Sequence, residues 1–123
     1  TNFSTEKMRM PETGKAEIER ILTKLEKNHE MHIKNYGFAL DERLTGDHET
    51  CSINEFKYGE SDRGASIRIP VSTAKEGYGY LEDRRPGANS DPYLVASCIL
   101  VSICNLDDSY ITAATQAATQ TTQ

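Results

Sequence analysis

The segment YLEDRR, residues 80–85, places two acids and two bases between an aromatic-rich run and an abrupt Pro-Gly break. Alternate side chains of a β-strand share a face, so Tyr80, Glu82 and Arg84 would lie together. The opposite face would carry Leu81, Asp83 and Arg85. A carboxylate binds hard divalent cations, and a guanidinium binds phosphate or carboxylate through paired hydrogen bonds. This pattern suits a site that holds a metal and an anion side by side. Cross-strand ion pairs at a sheet edge are the alternative, and exposed pairs contribute only about 0–1 kcal/mol each.

Other arginines lie close to this segment in the sequence. Arg68 alternates with Ile67 and Ile69 in ASIRIP, which predicts a short strand with one buried face and one arginine face. Arg63 precedes Gly64 at a loop-to-strand junction, where the backbone can approach a ligand closely. The candidate site residues also include Arg43, Arg84, Glu49 and Glu82. An arginine-rich cleft with a few carboxylates suits phosphoryl transfer, in which neutralising charge does most of the catalysis. Solvated arginines on an exposed sheet face are the simpler alternative.

The remaining polar candidates favour structural roles. His29 and His32 lie three apart on the predicted first helix without an HExxH motif, so a polar helix face is preferred to a metal site. Cys98 and Cys104 are predicted to fill the core. Three cysteines make an odd count, which fits a reduced, cytosolic protein better than a disulfide scaffold.

The composition limits the class of protein. A chain of 123 residues with 37% hydrophobic residues is long enough for one small domain or a piece of a larger one. The net charge of −5 argues against a phosphate-tracking nucleic-acid surface. No run approaches the roughly 20 apolar residues that a membrane span needs. The start, TNFSTEKMR, does not begin with Met and reads like the middle of a loop, so we expect a fragment.

Periodicity predicts the elements that position these residues. Apolar residues at helical spacing predict a helix over 15–34, with Thr13 as its cap and Gly37 at its end. Residues 38–62 show no period and predict long loops. Strands are predicted at 65–70 and 76–84. Asp91-Pro92 predicts the start of a helix that is apolar on nearly every face and therefore buried.

Three motifs together resemble one enzyme family. They are RLTGDHET (43–50), DRGASIRIP (62–70) and GYGYLEDRRPGANSDPY (77–93), and they are similar to the C-terminal half of the catalytic domain of glutamine synthetase, in its eukaryotic-type form. The similarity extends from Thr1 to about Cys104. It implies an α+β fold of antiparallel strands packed with two main helices. It also implies that residues 1–109 are a fragment of that domain. The low-complexity composition of residues 110–123 predicts a disordered tail.

The resemblance implies an activity and its cofactors. Glutamine synthetase ligates ammonia to glutamate with ATP, through a γ-glutamyl phosphate intermediate and with Mg²⁺ or Mn²⁺. By resemblance Glu82 is a metal ligand and Arg84 contacts glutamate and the transferring phosphoryl group. Arg63 touches glutamate and the phosphates, and Arg68 holds ATP. The catalytic residues implied are Glu49, Arg63 and Arg84.

The resemblance also assigns residues outside the central strand. Arg43 orients substrate glutamate, and Glu49 lies on a flap and accepts a proton from ammonium. Asp83 and Arg85 take supporting or structural roles. The nucleotide pocket is lined by Asn2, Phe3, Ser4, Tyr80 and Leu81. The family implies a cytoplasmic homo-oligomer with no nucleic-acid or membrane partner.

Two departures from the family pattern qualify this expectation. Asp62 stands where the family usually has Asn, so that it either forms a salt link to an arginine or weakens nucleotide binding. The family's N-terminal β-grasp domain and most metal-binding carboxylates are absent from the printed sequence. We therefore expect the chain by itself neither to bind two metals nor to turn over.

Two other functions stay open at this point. One is a ligase that joins glutamate to a polyamine or other amine, although Glu49 and the close match of RLTGDHET favour ammonia. The other is a catalytically silent relative kept for structure or binding. Loss of Glu82 or the arginines would have indicated a silent relative, and all of them are present.

Overall fold

The computed structural model describes residues 1–36, 55–87, 90–107 and 109–111. Helices and strands are interspersed along the chain without regular alternation, and a small mixed sheet is formed, which agrees with the predicted α+β class. In chain order they are β1 (Asn2–Phe3), a 3-10 turn (Lys7–Arg9), α1 (Gly14–Lys27), α2 (His29–Asn35), β2 (Tyr58–Glu60), β3 (Ile67–Ile69), α3 (Val71–Glu76), β4 (Leu81–Asp83) and α4 (Pro92–Cys104).

The first predicted helix is two helices. α1 buries the apolar face that its spacing predicts, formed by Ile18, Ile21, Leu22 and Leu25. The helix is interrupted at Asn28. The Asn28 side-chain amide donates a 2.8 Å hydrogen bond to the Lys24 carbonyl, so the side chain competes with the helix backbone. Thr13 precedes α1 as predicted, but its hydroxyl donates to the Lys7 carbonyl and does not cap the helix. Gly37 lies outside the described residues.

The four-stranded sheet has the order β1-β4-β3-β2. β4 is antiparallel to both of its neighbours, whereas β2 runs parallel to β3. Two expectations are therefore wrong. The strands are not all antiparallel, and residues 58–60 of the predicted loop form β2, an edge strand with a central Gly59 that carries no recognisable pattern. β4 is an inner strand, so its charged residues do not lie at a sheet edge.

β4 is shorter than the predicted strand over 76–84. The connection after β3 forms α3, which ends at Gly77 in a left-handed conformation with φ 82°. Gly79 follows with φ 142°, and a Cβ there would lie 2.5 Å from Thr73 Oγ1. Because that hydroxyl donates to the Tyr80 carbonyl, the chain reaches β4 through a tight turn that only glycine fits.

α4 begins as predicted and is buried on one face only. The Asp91 carboxylate accepts a 2.9 Å hydrogen bond from the Tyr93 amide, and Pro92 occupies the first turn. α4 packs against α1 and α2. Leu100, on the opposite side, is exposed, so the prediction of burial on nearly every face is wrong. Cys98 is a buried core residue as predicted, but Cys104 is exposed.

The core lies between the sheet and the helices. Its central side chains include Met8, Ile21, Leu25, Ile67, Leu81 and Cys98, all fully buried. Ile111 also packs there, and residues 112–123 of the predicted tail lie outside the described part. Within the described ranges no helix has the length and apolar character of a membrane span.

Candidate functional site

The sheet places three of the predicted site residues side by side. Glu82 of β4 pairs with Asn2 of β1 on one side and with Arg68 of β3 on the other. Directly paired residues of antiparallel strands point to the same face. The outer face of β4 therefore has a carboxylate at its centre, flanked by an amide and a guanidinium.

Arg68 has an unused hydrogen-bond donor beside Glu82. Its Nη1 lies 4.0 Å from a Glu82 carboxylate oxygen, which is too long for a hydrogen bond, and both side chains are about one-third exposed. Its Nε is buried and has no acceptor among the described residues. Buried donors in folded proteins are normally paired, so an anionic ligand would satisfy this atom.

Tyr80 and Arg84 continue the same face. Tyr80 is exposed, and Arg84 is half-buried directly after β4, where its amide donates to the Ser66 carbonyl at 2.9 Å. The predicted alternation is thus confirmed, with Tyr80, Glu82 and Arg84 outward. Leu81 is fully buried in the core, so only its main chain is available to line a nucleotide pocket.

The structure describes four of the other predicted site residues. Asn2 and Ser4 are exposed, and Phe3 is half-buried against the core. Arg63 is exposed in the turn before β3. Arg43 and Glu49, and with them the predicted glutamate and ammonium contacts, lie outside the described residues. Their roles stay predictions.

Asp62 shapes the turn that carries Arg63. Its Oδ1 accepts a 2.8 Å hydrogen bond from the Gly64 amide. An asparagine oxygen could accept the same bond, so this contact does not require the extra negative charge. The turn geometry explains an oxygen-bearing side chain at residue 62.

The inner face of β4 holds a buried ion pair. Asp83 and Arg85 are 0% and 1% exposed, and two guanidinium nitrogens, Nε and Nη2, donate to the carboxylate at 2.9 and 3.0 Å. Burial favours the neutral acid, but the charge and hydrogen bonds of Arg85 hold the pKa of Asp83 below its ordinary value. The Arg85 guanidinium also lies over the rings of Tyr36 and Phe56. This pair ties the site strand to the core.

Three helix residues extend this pair into a buried polar network. The Tyr36 hydroxyl donates to Asp83 Oδ2 at 2.8 Å and lies 2.6 Å from His32 Nδ1. His32 Nε2 lies 2.6 Å from the Ser102 hydroxyl of α4. The prediction that His32 belongs to a polar helix face is wrong, because His32 is completely buried. Burial and the nearby charge of Arg85 lower the pKa of His32 to about 3.

The described residues supply no complete metal site. No three His, Cys, Asp or Glu side chains come together in these ranges. His29 is used elsewhere, since its Nδ1 lies 2.9 Å from Arg85 Nη1 and its ring packs edge-on against Phe56. Glu82 could therefore offer one carboxylate to a cation, whose other ligands would come from outside the described part.

The buried His32 predicts a loss of stability in acid. The unfolded chain takes up a proton at His32 near pH 6.5, whereas the folded chain resists protonation until about pH 3. Stability contributed by the neutral imidazole is thus present above pH 6.5 and falls by about 1.4 kcal/mol per pH unit below about pH 6. Urea unfolding of the wild-type chain between pH 4 and pH 7 measures this slope.

A His32→Gln variant is the control for this slope. It removes the titrating group while it keeps a polar side chain beside Tyr36, Arg85 and Ser102. Its unfolding free energy should depend less on pH than that of the wild type, by about 1.4 kcal/mol per unit in that range. Equal slopes for the two proteins would show that His32 is protonated in the folded state.

Comparisons with known proteins give one family model and several similar sequences. The family model described as "Glutamine synthetase, catalytic domain" matches residues 41–105. The chain is 55% identical over 103 residues to "Glutamine synthetase, chloroplastic" of Chlamydomonas reinhardtii, covering 84% of the chain and 27% of the relative. It is 56% identical over 104 residues to "Glutamine synthetase" of Debaryomyces hansenii, covering 85% and 28%. It is 53% identical over 109 residues to that of Saccharomyces cerevisiae, covering 89% and 29%. The chain thus spans less than a third of these relatives.

Proposed function

This chain belongs to the glutamine synthetase family, and from that membership we propose that it contributes the phosphoryl-transfer face of an enzyme that ligates ammonia to glutamate with ATP. The reaction proceeds through γ-glutamyl phosphate. The observation that carries the proposal is the outer face of β4, where Glu82 lies beside Arg68, whose buried Nε has no acceptor among the described residues. A carboxylate beside a guanidinium can bind a cation beside a phosphate.

The residues of this face divide the work by charge. Glu82 holds Mg²⁺ or Mn²⁺, which when bound neutralises charge on the phosphates. Arg68 binds the nucleotide, and its Nε gains the acceptor that it lacks in the described part. Arg84 and Arg63 bind the glutamate carboxylate and the transferring phosphoryl group, since a guanidinium matches either anion with two parallel donors.

Other residues complete the nucleotide and substrate sites. Asn2, Phe3, Ser4, Tyr80 and the main chain of Leu81 line the nucleotide pocket. Arg43 orients glutamate, and Glu49 accepts the proton of ammonium. The complete enzyme is a cytoplasmic homo-oligomer with no nucleic-acid or membrane partner. The acidic net charge of −5 supports the absence of a nucleic-acid surface.

A hybrid enzyme tests this function. The chain replaces the matching residues of the S. cerevisiae relative, with which it shares 53% identity. We expect the purified hybrid to form glutamine from glutamate, ammonia and ATP, measured by coupled ADP release and by chromatography of the product. The S. cerevisiae protein, prepared identically, is the control.

The same assay separates the alternatives. Methylamine and a polyamine are each offered in place of ammonia at equal concentration. A preference for either over ammonia would replace ammonia ligation with amine ligation. A folded hybrid that releases no ADP with any amine would support a catalytically silent relative and contradict the proposal.

A further inference from the structure

The Tyr36 hydroxyl has one proton and two close neighbours. It lies 2.8 Å from Asp83 Oδ2 and 2.6 Å from His32 Nδ1. An ionised carboxylate only accepts hydrogen bonds, so the Tyr36 proton is directed to Asp83. The short contact with His32 is then a hydrogen bond only if His32 Nδ1 carries the proton and donates it to the tyrosine oxygen.

This constraint fixes the rest of the network. With a proton on Nδ1, the neutral imidazole has its lone pair on Nε2, which accepts from the Ser102 hydroxyl at 2.6 Å. Each donor then points the same way, from Ser102 through His32 and Tyr36 to Asp83. Arg85 Nη2 lies 3.3 Å from His32 Nδ1, and because both atoms carry hydrogen this contact is not a hydrogen bond.

The chain of donors ends on the carboxylate that controls the site strand. Asp83 Oδ1 also accepts from the Arg85 amide at 3.1 Å and from Arg85 Nε at 2.9 Å. Residues 83 and 85 are thus both fixed on the inner face by one carboxylate. Arg84 lies between them and Glu82 precedes them, so alternation holds both side chains on the outer face.

We infer that Tyr36 is a positioning residue for the outer face of β4, acting through Asp83 on the direction of Glu82 and Arg84. The inference rests on the proposed function for its catalytic consequence, but the directed hydrogen-bond chain stands on the geometry alone. Tyr36 is 1% exposed and bonds Asp83 on the inner face of β4, on the opposite side of the strand from Glu82. Its contribution is to hold a strand of three residues in one orientation.

Two substitutions separate positioning from general stability. Tyr36→Phe removes the hydroxyl that contacts Asp83 and keeps the buried ring. Ser102→Ala removes an equally buried hydroxyl from the same network, two links away from Asp83. Both variants lose a hydroxyl from the core, and only Tyr36→Phe alters a direct contact with the site strand.

The first readout is the histidine tautomer, from ¹⁵N-histidine NMR of this chain. We expect His32 to carry its proton on Nδ1 in the wild type and in Ser102→Ala. In Tyr36→Phe the proton should move to Nε2, because Nδ1 then becomes free to accept from Arg85 Nη2. A wild-type His32 with its proton on Nε2 would overturn the directed chain.

The second readout is the KM for MgATP of the hybrid enzyme, at a temperature where all variants are folded. We expect Tyr36→Phe to raise it about 10-fold, as substitutions behind a ligand commonly do. Ser102→Ala should change it by no more than about 2-fold. Equal changes in the two variants would contradict a positioning role. A wild-type hybrid without activity would instead refute the proposed function, and the tautomer would still decide the directed chain.

Discussion

Asp83→Ala is expected to lower the free energy of unfolding by about 3–5 kcal/mol, because it leaves the Arg85 charge buried without its partner. Arg85 is 1% exposed and directs both Nε and Nη2 at the carboxylate. The substitution also removes the acceptor of the Tyr36 hydroxyl. Urea unfolding of this chain, followed by far-UV circular dichroism, measures the loss.

Glu17→Ala is the matched control for that loss. Glu17 also binds an arginine through two bonds, of 2.7 and 3.0 Å to Arg20, but Arg20 is 40% exposed. Its removal should cost no more than about 1 kcal/mol. The double variant Asp83→Leu with Arg85→Met should recover most of the loss, since it removes both buried charges together. Equal costs for the Asp83 and Glu17 variants would show that water reaches the inner pair.

Glu82→Gln in the hybrid enzyme should reduce kcat by at least about 100-fold, because under the proposed function it would remove a charged ligand of the metal that assists phosphoryl transfer. The amide keeps the shape of the side chain, and Glu82 is about one-third exposed, so the fold should be retained. Activity as a function of Mn²⁺ concentration measures the effect. Part of the loss should be recovered at high Mn²⁺ if the defect lies in metal binding.

Glu60→Gln is the control for this prediction. Glu60 is a strand carboxylate like Glu82, but it is exposed and lies on β2, which is separated from β4 by β3. Its substitution should change kcat by less than about 2-fold. Retention of full activity by Glu82→Gln would remove the metal ligand from the proposal and leave only the arginines.

Local patterns predicted the parts of the fold that depend on near neighbours. The spacing of Ile18, Ile21 and Leu25 predicted the buried face of α1, and Asp91-Pro92 predicted the start of α4. Alternation correctly assigned the two faces of β4. Each of these features follows from residues within one or two turns or within one strand, and the sequence displays them directly.

The misses depend on contacts between distant residues. His32 is predicted on a polar surface, but its neighbours Ser102 and Arg85 are 70 and 53 residues away in the sequence. The sequence did contain one signal for this burial. His32 and Tyr36 are four residues apart, so helical spacing places them one turn apart and on the same side of the chain. A second signal was available in β4. Leu81 is apolar and shares a face with Asp83 and Arg85, which indicated that these two charged residues are buried. Neither signal identifies the residues that form hydrogen bonds with these buried polar groups. Burial of a polar group is favourable only when such partners are present, and here they come from distant parts of the sequence.

The outer face of β4 carries the proposed ligand-binding residues, whereas its inner face anchors the strand in the core. The two faces should therefore tolerate different mutations. Under the proposed function, replacing Glu82 or Arg84 would impair ligand binding without opening the core, because both side chains lie on the outer face. A one-residue insertion or deletion between Gly79 and Arg84 would exchange the two faces. It would drive Glu82 inward and expel Asp83, so homologues and engineered libraries should hold the length of this segment constant.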